Sequence, residues 1–239
     1  MCKVKYMFGI LAILMATSNS AQEANYVTVG TAYNLDNNQV IFRETYSALN
    51  SMGEVQVSYL NPQGKQFATK TLVFQGEPYQ PTFVFEDSRD DETLSVQFER
   101  GILVMQHKDI NGLRQESIMD NAGMVIDSGL DSYVQLHWDQ LLKGKALKFD
   151  YALPRRLSST KMSIEKMIAT ASPLFNQQFA DTWIYFKLEP ARKWKALFAD
   201  PIYLAYDTNG KYLMRFQGRS NIDDAHGIPQ DVRIEYEYF

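Results

Sequence analysis

The sequence predicts a mainly β, β-rich α+β fold. The expected architecture is a curved antiparallel meander or partly open barrel wrapped round one principal helix, about 130–142, with a short second helix at about 190–199. Three observations carry this. Short runs with apolar residues at every second position recur along the chain, separated by turn residues. One stretch, Gly129–Gly144, shows a clear helical period instead. Aromatic content is 13%, with 14 Tyr and 14 Phe, which suits strands and apolar pockets.

Met1–Ala21 has the layout of a secretory signal peptide. Lys3 and Lys5 precede the apolar run Met7–Met15, and small residues follow at Ala16, Ser18, Ser20 and Ala21. The run is short for a membrane span, and Cys2 precedes it, so it is not placed as a lipobox cysteine. The expectation is a signal peptide at 1–21 and one β-rich domain at 22–239, periplasmic or secreted, with no transmembrane span in the mature chain. The single cysteine lies in the leader, so the mature chain has no disulfide, no thiol nucleophile and no cysteine-bound zinc. Removing Lys3 and Lys5 from 24 basic residues leaves 22 against 28 acidic, a net charge of −6. That balance argues against nucleic acid as a partner.

From Tyr26 to Met119 strands are expected near 26–33, 39–47, 54–60, 66–75, 82–86, 92–99, 102–110 and 113–119. Val55, Val57 and Tyr59 alternate with Glu54, Gln56 and Ser58; Leu94, Val96 and Phe98 alternate with Thr93, Ser95 and Gln97. Even spacing points to a sequential antiparallel meander. Asn111-Gly112 is a hairpin signal, and a two-residue loop there sets Ile110 opposite Leu113, Asp109 opposite Arg114 and His107 opposite Glu116.

In the helix, Leu130, Tyr133, Val134, His137, Trp138, Leu141 and Leu142 share one face. Ser128 with Asp131 resembles a capping box, and Lys143-Gly144 is a suitable stop. So wide an aromatic stripe must be buried against a sheet.

Strands follow near 146–152, 157–168 and 181–188. Pro190–Ala199 reads as the second helix, with Pro190 in its first turn and Trp194, Leu197 and Phe198 on one side. Ile202–Asp207 and Lys211–Gln217 flank Asn209-Gly210, so Asp207 faces Tyr212, Ala205 faces Met214 and Tyr203 faces Phe216. Both faces of this hairpin are largely apolar, where an antiparallel pair usually has one wet face. The last strand, Asp231–Tyr238, alternates cleanly. Phe239 shares its phase with Glu237, Glu235 and Arg233, which argues against a lipid-facing strand of an outer-membrane barrel.

No dinucleotide, P-loop, serine-hydrolase or zinc-protease motif occurs. Ser220, Asp223, Asp224 and His226 fall within one loop, where a catalytic triad normally draws on separate elements; turn formation is the plainer reading. The same loop is a weak zinc candidate, and Asp87, Asp90 and Asp91 a weak calcium candidate. No cofactor, metal site or catalytic residue is predicted.

The stretches GLDSYVQLHWDQLLKGKALKFDYALPRR, PIYLAYDTNGKYLMRFQGRSNI and VRIEYEY give the chain a resemblance to uncharacterised β-rich exported proteins of Gram-negative bacteria. At the level of fold alone, a meander round a helix is similar to the Lol-type lipoprotein carriers, half-barrels that hold acyl chains. No residue motif is shared with them.

The function expected first is binding of an apolar or amphipathic ligand in a cavity beside the central helix. Tyr133, Trp138, Trp183 and Tyr206 would line it, His137 would offer a polar contact, and Arg155, with Arg156, would hold an anionic head group. The alternatives are an envelope structural or assembly factor with a protein partner, or an undetected hydrolase.

Overall fold

The structure, a computed structural model, describes residues 26–119, 123–192 and 200–239. The predicted leader lies outside these residues, as does the predicted second helix from residue 193 onward; its first residue, Pro190, ends a strand.

Eight strands precede the helical segment: β1 (Tyr26–Asn34), β2 (Val40–Ser47), β3 (Glu54–Leu60), β4 (Gln66–Val73), β5 (Thr82–Asp87), β6 (Glu92–Glu99), β7 (Ile102–Asp109) and β8 (Gly112–Met119). After α1 (Gly129–Leu136) and α2 (Trp138–Leu142) come β9 (Leu147–Leu153), β10 (Ser158–Lys166), β11 (Trp183–Pro190), β12 (Ile202–Asp207), β13 (Leu213–Arg219) and β14 (Asp231–Tyr238). Among the described residues these 14 strands form one antiparallel sheet, ordered β8 to β1 and then β14 to β9. Two meanders are thus joined at β1 and β14, where Gly30 lies opposite Tyr236. Among the described residues no helix is long and apolar enough to cross a membrane.

Among the described residues the two edge strands of the sheet are β8 and β9, and they do not pair with each other. Instead the sheet curls past itself. A 3₁₀ turn after β9, Pro154–Arg156, packs on β6 and β7. The connection before α1 runs along the edge of β9: the Val125 amide donates to Asp150 at 2.8 Å, and the Ala152 amide donates to Val125 at 3.0 Å. The seam therefore falls at β6 and β7, and β8 is left overhanging, with all but Ile118 of its residues exposed.

The predicted helix is interrupted. His137, at φ −103° and ψ 15°, separates α1 from α2. Its amide and its Nδ1 both bond the Tyr133 carbonyl, at 3.1 and 3.0 Å, closing α1 before a new turn starts. Nor does Ser128 form a capping box: its hydroxyl goes to Asp127 at 2.8 Å rather than to a helix amide. The start of α1 presses on the backbone of residue 79, since a Cβ on Gly129 would lie 2.3 Å from the Tyr79 carbonyl oxygen. The apolar stripe is buried as expected. Tyr133, Val134, Trp138 and Leu141 pack with Phe149, Ile164, Phe186, Leu204 and Tyr206 in a cluster distinct from the larger one, to which β1–β7 and β14 contribute together with Met124, Ile126, Ala152 and Ile222.

The 110–111 loop is shifted from the expected register. Asp109 pairs with Gly112, and His107 lies opposite Arg114 rather than Glu116. The Asp109 carboxylate accepts the Asn111 amide at 2.8 Å, so the turn closes one residue earlier and Gly112 takes φ +106°. In the second hairpin, Asp207 does face Tyr212, its amide donating to the Tyr212 carbonyl at 2.9 Å. A bulge at Met214 then sets Ala205 opposite Arg215 and Tyr203 opposite Gln217.

The two dry faces of that hairpin are both core. Leu204 and Tyr206 join the helix cluster. Ala205 joins Leu174, Trp183 and Tyr185 on the other side, with Phe175 and Phe179 packed against them. The connection between β10 and β11 supplies that extra layer, so no ligand is needed to cover the second face.

Asp131, in the first turn of α1, faces the Tyr206 hydroxyl without a well-formed hydrogen bond to it, and Gln135 donates to its other oxygen at 3.0 Å. Burial, opposed by the Tyr206 hydroxyl, pushes its carboxyl from the usual 3.8 up to about 6. Between those two values the folded state holds a proton that the unfolded chain has lost. Stability therefore falls as pH rises through this window, by up to about 3 kcal/mol in all. Asp131→Asn is expected to be more stable than wild type at pH 7.5 by about 1–3 kcal/mol and nearly equal to it at pH 4. Urea denaturation at both pH values checks this; a difference independent of pH would rule the mechanism out.

Candidate functional site

A cavity of about 670 Å3 opens between β4–β6 on one side and β9, β10 and the 220–229 loop on the other. Strand alternation builds its floor. On β5, Phe83 and Phe85 point inward while Val84 is exposed. Leu94 of β6, Ala152 of β9 and Met162 of β10 complete an apolar, buried base. The rim is exposed and polar, with Arg156, Ser159, Asp200, Arg219 and Asn221.

One charged pair sits at the floor. Lys70 occupies the inward phase of β4, between Ala68 and Leu72, and is only 4% exposed. Its Nζ donates to both carboxylate oxygens of Asp127 at 2.9 Å. It also lies 5.3 Å from the Phe83 ring centroid and 5.9 and 6.0 Å from those of Tyr59 and Phe85, within cation–π range. Burial opposes the ammonium charge, yet the Asp127 carboxylate and the Tyr59 hydroxyl outweigh it and raise the Lys70 pKa. Burial likewise opposes the Asp127 charge, but Lys70 and Ser128 outweigh it and lower the carboxyl pKa. Both groups are held charged.

Asp127 adopts φ +44°, a left-handed conformation that costs a non-glycine residue on the order of 1–3 kcal/mol. Its bonds explain why it persists. Besides Lys70 it accepts the Ser128 amide at 2.7 Å, the Ser128 hydroxyl at 2.8 Å and the Asn221 amide at 3.1 Å. One carboxylate thus ties together β4, the start of α1 and the 220–229 loop.

Arg155 forms the wall between floor and rim. Its guanidinium grips Glu92 with Nε at 2.9 Å and Nη2 at 2.5 Å, and its Nη1 meets Asp223 at 2.8 Å. This bidentate contact fastens the 3₁₀ turn onto β6. Glu92 is also 2.9 Å from His107 Nε2, and Arg114 Nη2 lies 2.7 Å from His107 Nδ1. A guanidinium only donates, so Nδ1 must accept and the ring proton belongs on Nε2, directed at Glu92. Burial raises the Asp223 pKa, with Arg155 opposing and Glu92 adding to the rise.

Of the six residues predicted to contact a ligand, only Arg155 lines this cavity. Tyr133, Trp138 and Tyr206 are core of the helix cluster, with the Trp138 ring 5.7 Å from Phe186 and 5.9 Å from Tyr206. His137 stacks on Tyr133 at 4.3 Å. Trp183 stacks on Phe179 at 4.2 Å, on the opposite face of the sheet. Sequence reasoning missed Lys70 and Asp127. A lysine in the apolar phase of β4 was the available signal for the first; no local pattern marks the second.

The other polar candidates do structural work. Asp87 is buried and paired with Arg89 at 2.6 Å. Together with Glu86, Asp90 and Asp91 it borders a separate surface groove of about 820 Å3. Asp224 accepts the amides of His226 and Ile228, and Ser220 accepts the Ile222 amide. Among the described residues no group of three or more potential metal ligands is assembled.

No protein-family model matches the sequence, and no curated protein matches it. Among solved structures, the chain is similar to a β-barrel-like protein of a domain of unknown function, DUF1849, from Brucella abortus. The TM-score is 0.45 at 9% identity, over 90% of this chain and 99% of that one.

Proposed function

We propose that the protein binds an apolar or amphipathic small molecule in the cavity between β4–β6 and β9–β10, and that it does so as an exported, periplasmic or secreted protein. The observation that carries this reading is the shape and chemistry of that cavity: about 670 Å3, with a buried floor of Phe83, Phe85, Leu94 and Met162 and an exposed polar rim. Its volume falls in the range of small-molecule sites, roughly 300–1,000 Å3. An apolar tail directed at the phenylalanines would leave a polar end at Arg156 and the Ser159 hydroxyl.

Titration with an environment-sensitive fluorescent fatty acid tests the reading. One saturable site is expected, competed by unlabelled fatty acid. Thr160→Trp, which puts a large ring into the cavity, is expected to weaken binding at least tenfold with the melting temperature retained. Leu136→Trp, on an exposed position of α1, is expected to leave binding unchanged. Absence of saturable binding, or equal binding by the Thr160 variant, overturns it.

A further inference from the structure

The overhanging strand β8 is an edge strand, and its sequence is complementary to itself. We propose that β8 pairs antiparallel with β8 of a second copy of this chain, with Gln115 opposite Gln115 on the two-fold axis. Among the described residues no strand pairs with the outer edge of β8. The hairpin closes at Asp109 and Gly112, so Gly112, Arg114, Glu116 and Ile118 turn their backbone groups toward β7. Leu113, Gln115 and Ser117 therefore direct theirs outward, and a copy centred on Gln115 meets that ladder in phase, its Leu113 carbonyl taking the Ser117 amide that now reaches the Glu116 carboxylate at 3.2 Å.

In this register Arg114 of each copy lies opposite Glu116 of the other, giving two opposite-charge pairs. Arg114 bonds His107 and Asp109 through Nη2 alone, which leaves Nε and Nη1 for a second carboxylate. On the other face, Met119 of one copy lies diagonal to Leu113 of the other; these side chains are 71% and 64% exposed. By contrast β9, the opposite edge of the sheet, is bordered by the chain's own Val125. A single strand pair buries less than the roughly 1,000 Å2 of a stable interface, so the association is weak and concentration-dependent.

Sedimentation velocity over a concentration series tests this. The mature wild type is expected to form dimers reversibly in the micromolar to millimolar range. Gln115→Pro removes an outward amide and keeps the backbone ladder to β7, losing only the exposed side-chain bond from Gln106 at 2.8 Å, and is expected to abolish dimers with the melting temperature little changed. Glu116→Arg is expected to weaken dimerisation at least tenfold, since it sets arginine against arginine. Mixing it with folded Arg114→Glu is expected to restore dimers that neither variant forms alone. A wild type that stays monomeric throughout the range overturns the proposal. So does a dimer that either the Gln115 or the Glu116 variant leaves intact.

Discussion

Trp138→Asp is expected to leave the protein largely unfolded at 25 °C. The indole is 5% exposed, meets Phe186 and Tyr206 edge-on, and carries the Lys211 ammonium over its ring at 5.7 Å. Aspartate would empty that volume and place a carboxylate in an apolar cluster. An unpaired buried charge costs several kcal/mol, against a typical total stability of about 5–15 kcal/mol. Circular dichroism melting checks the result, with Trp138→Phe as the milder control. A melt within a degree or two of wild type would mean that the helical segment does not organise the second cluster.

Asp127→Asn is expected to cost about 3–5 kcal/mol, because it strands the Lys70 ammonium in a ring of aromatic side chains. Asparagine tolerates the left-handed backbone, so the loss reports the charge and not the strain. The double variant Lys70→Met with Asp127→Asn removes both charges and is expected to recover most of the loss, to within about 1–2 kcal/mol of wild type. Because the Asp127 pKa is lowered in the folded state, the stabilisation is present at neutral pH and fades as pH falls below the usual carboxylate range. Urea unfolding of the three proteins at pH 7 decides the matter. Equal losses in the single and double variants would show that the pair is not the source.

The strands were legible because period-two alternation is local. Val57 and Tyr59 are buried on β3 as their phase requires, and the predicted strand limits hold to within a residue or two in most cases. The site was not legible, because its parts meet across distance. Lys70 finds Asp127 57 residues away, and Arg155 finds Glu92 63 residues away. Nothing in either neighbourhood encodes the partner. The apolar surplus in hairpin 202–217 was visible, but apolarity cannot say what covers a face. Here the covering is the 167–182 segment, whose own pattern gave no such indication. Turn chemistry moved the hairpin registers as well: the carboxylate of Asp109 closes its turn by accepting a backbone amide.

The pairing of β1 with β14 sets an order on how the molecule comes into being. Neighbouring hairpins such as β6–β7 close loops of a few residues and can form early, because short loops lose little entropy on closure. The middle of the sheet cannot. Its two strands are the first and last described segments to leave the ribosome, and Phe239 donates its amide to Val27 at 3.0 Å, with almost the whole chain between them. Contacts of such long sequence separation slow folding. A nascent chain would carry β1 with one edge unfilled until β14 has been made, and a chain cut short before β14 would lose the join at the centre of its sheet rather than a strand from its margin.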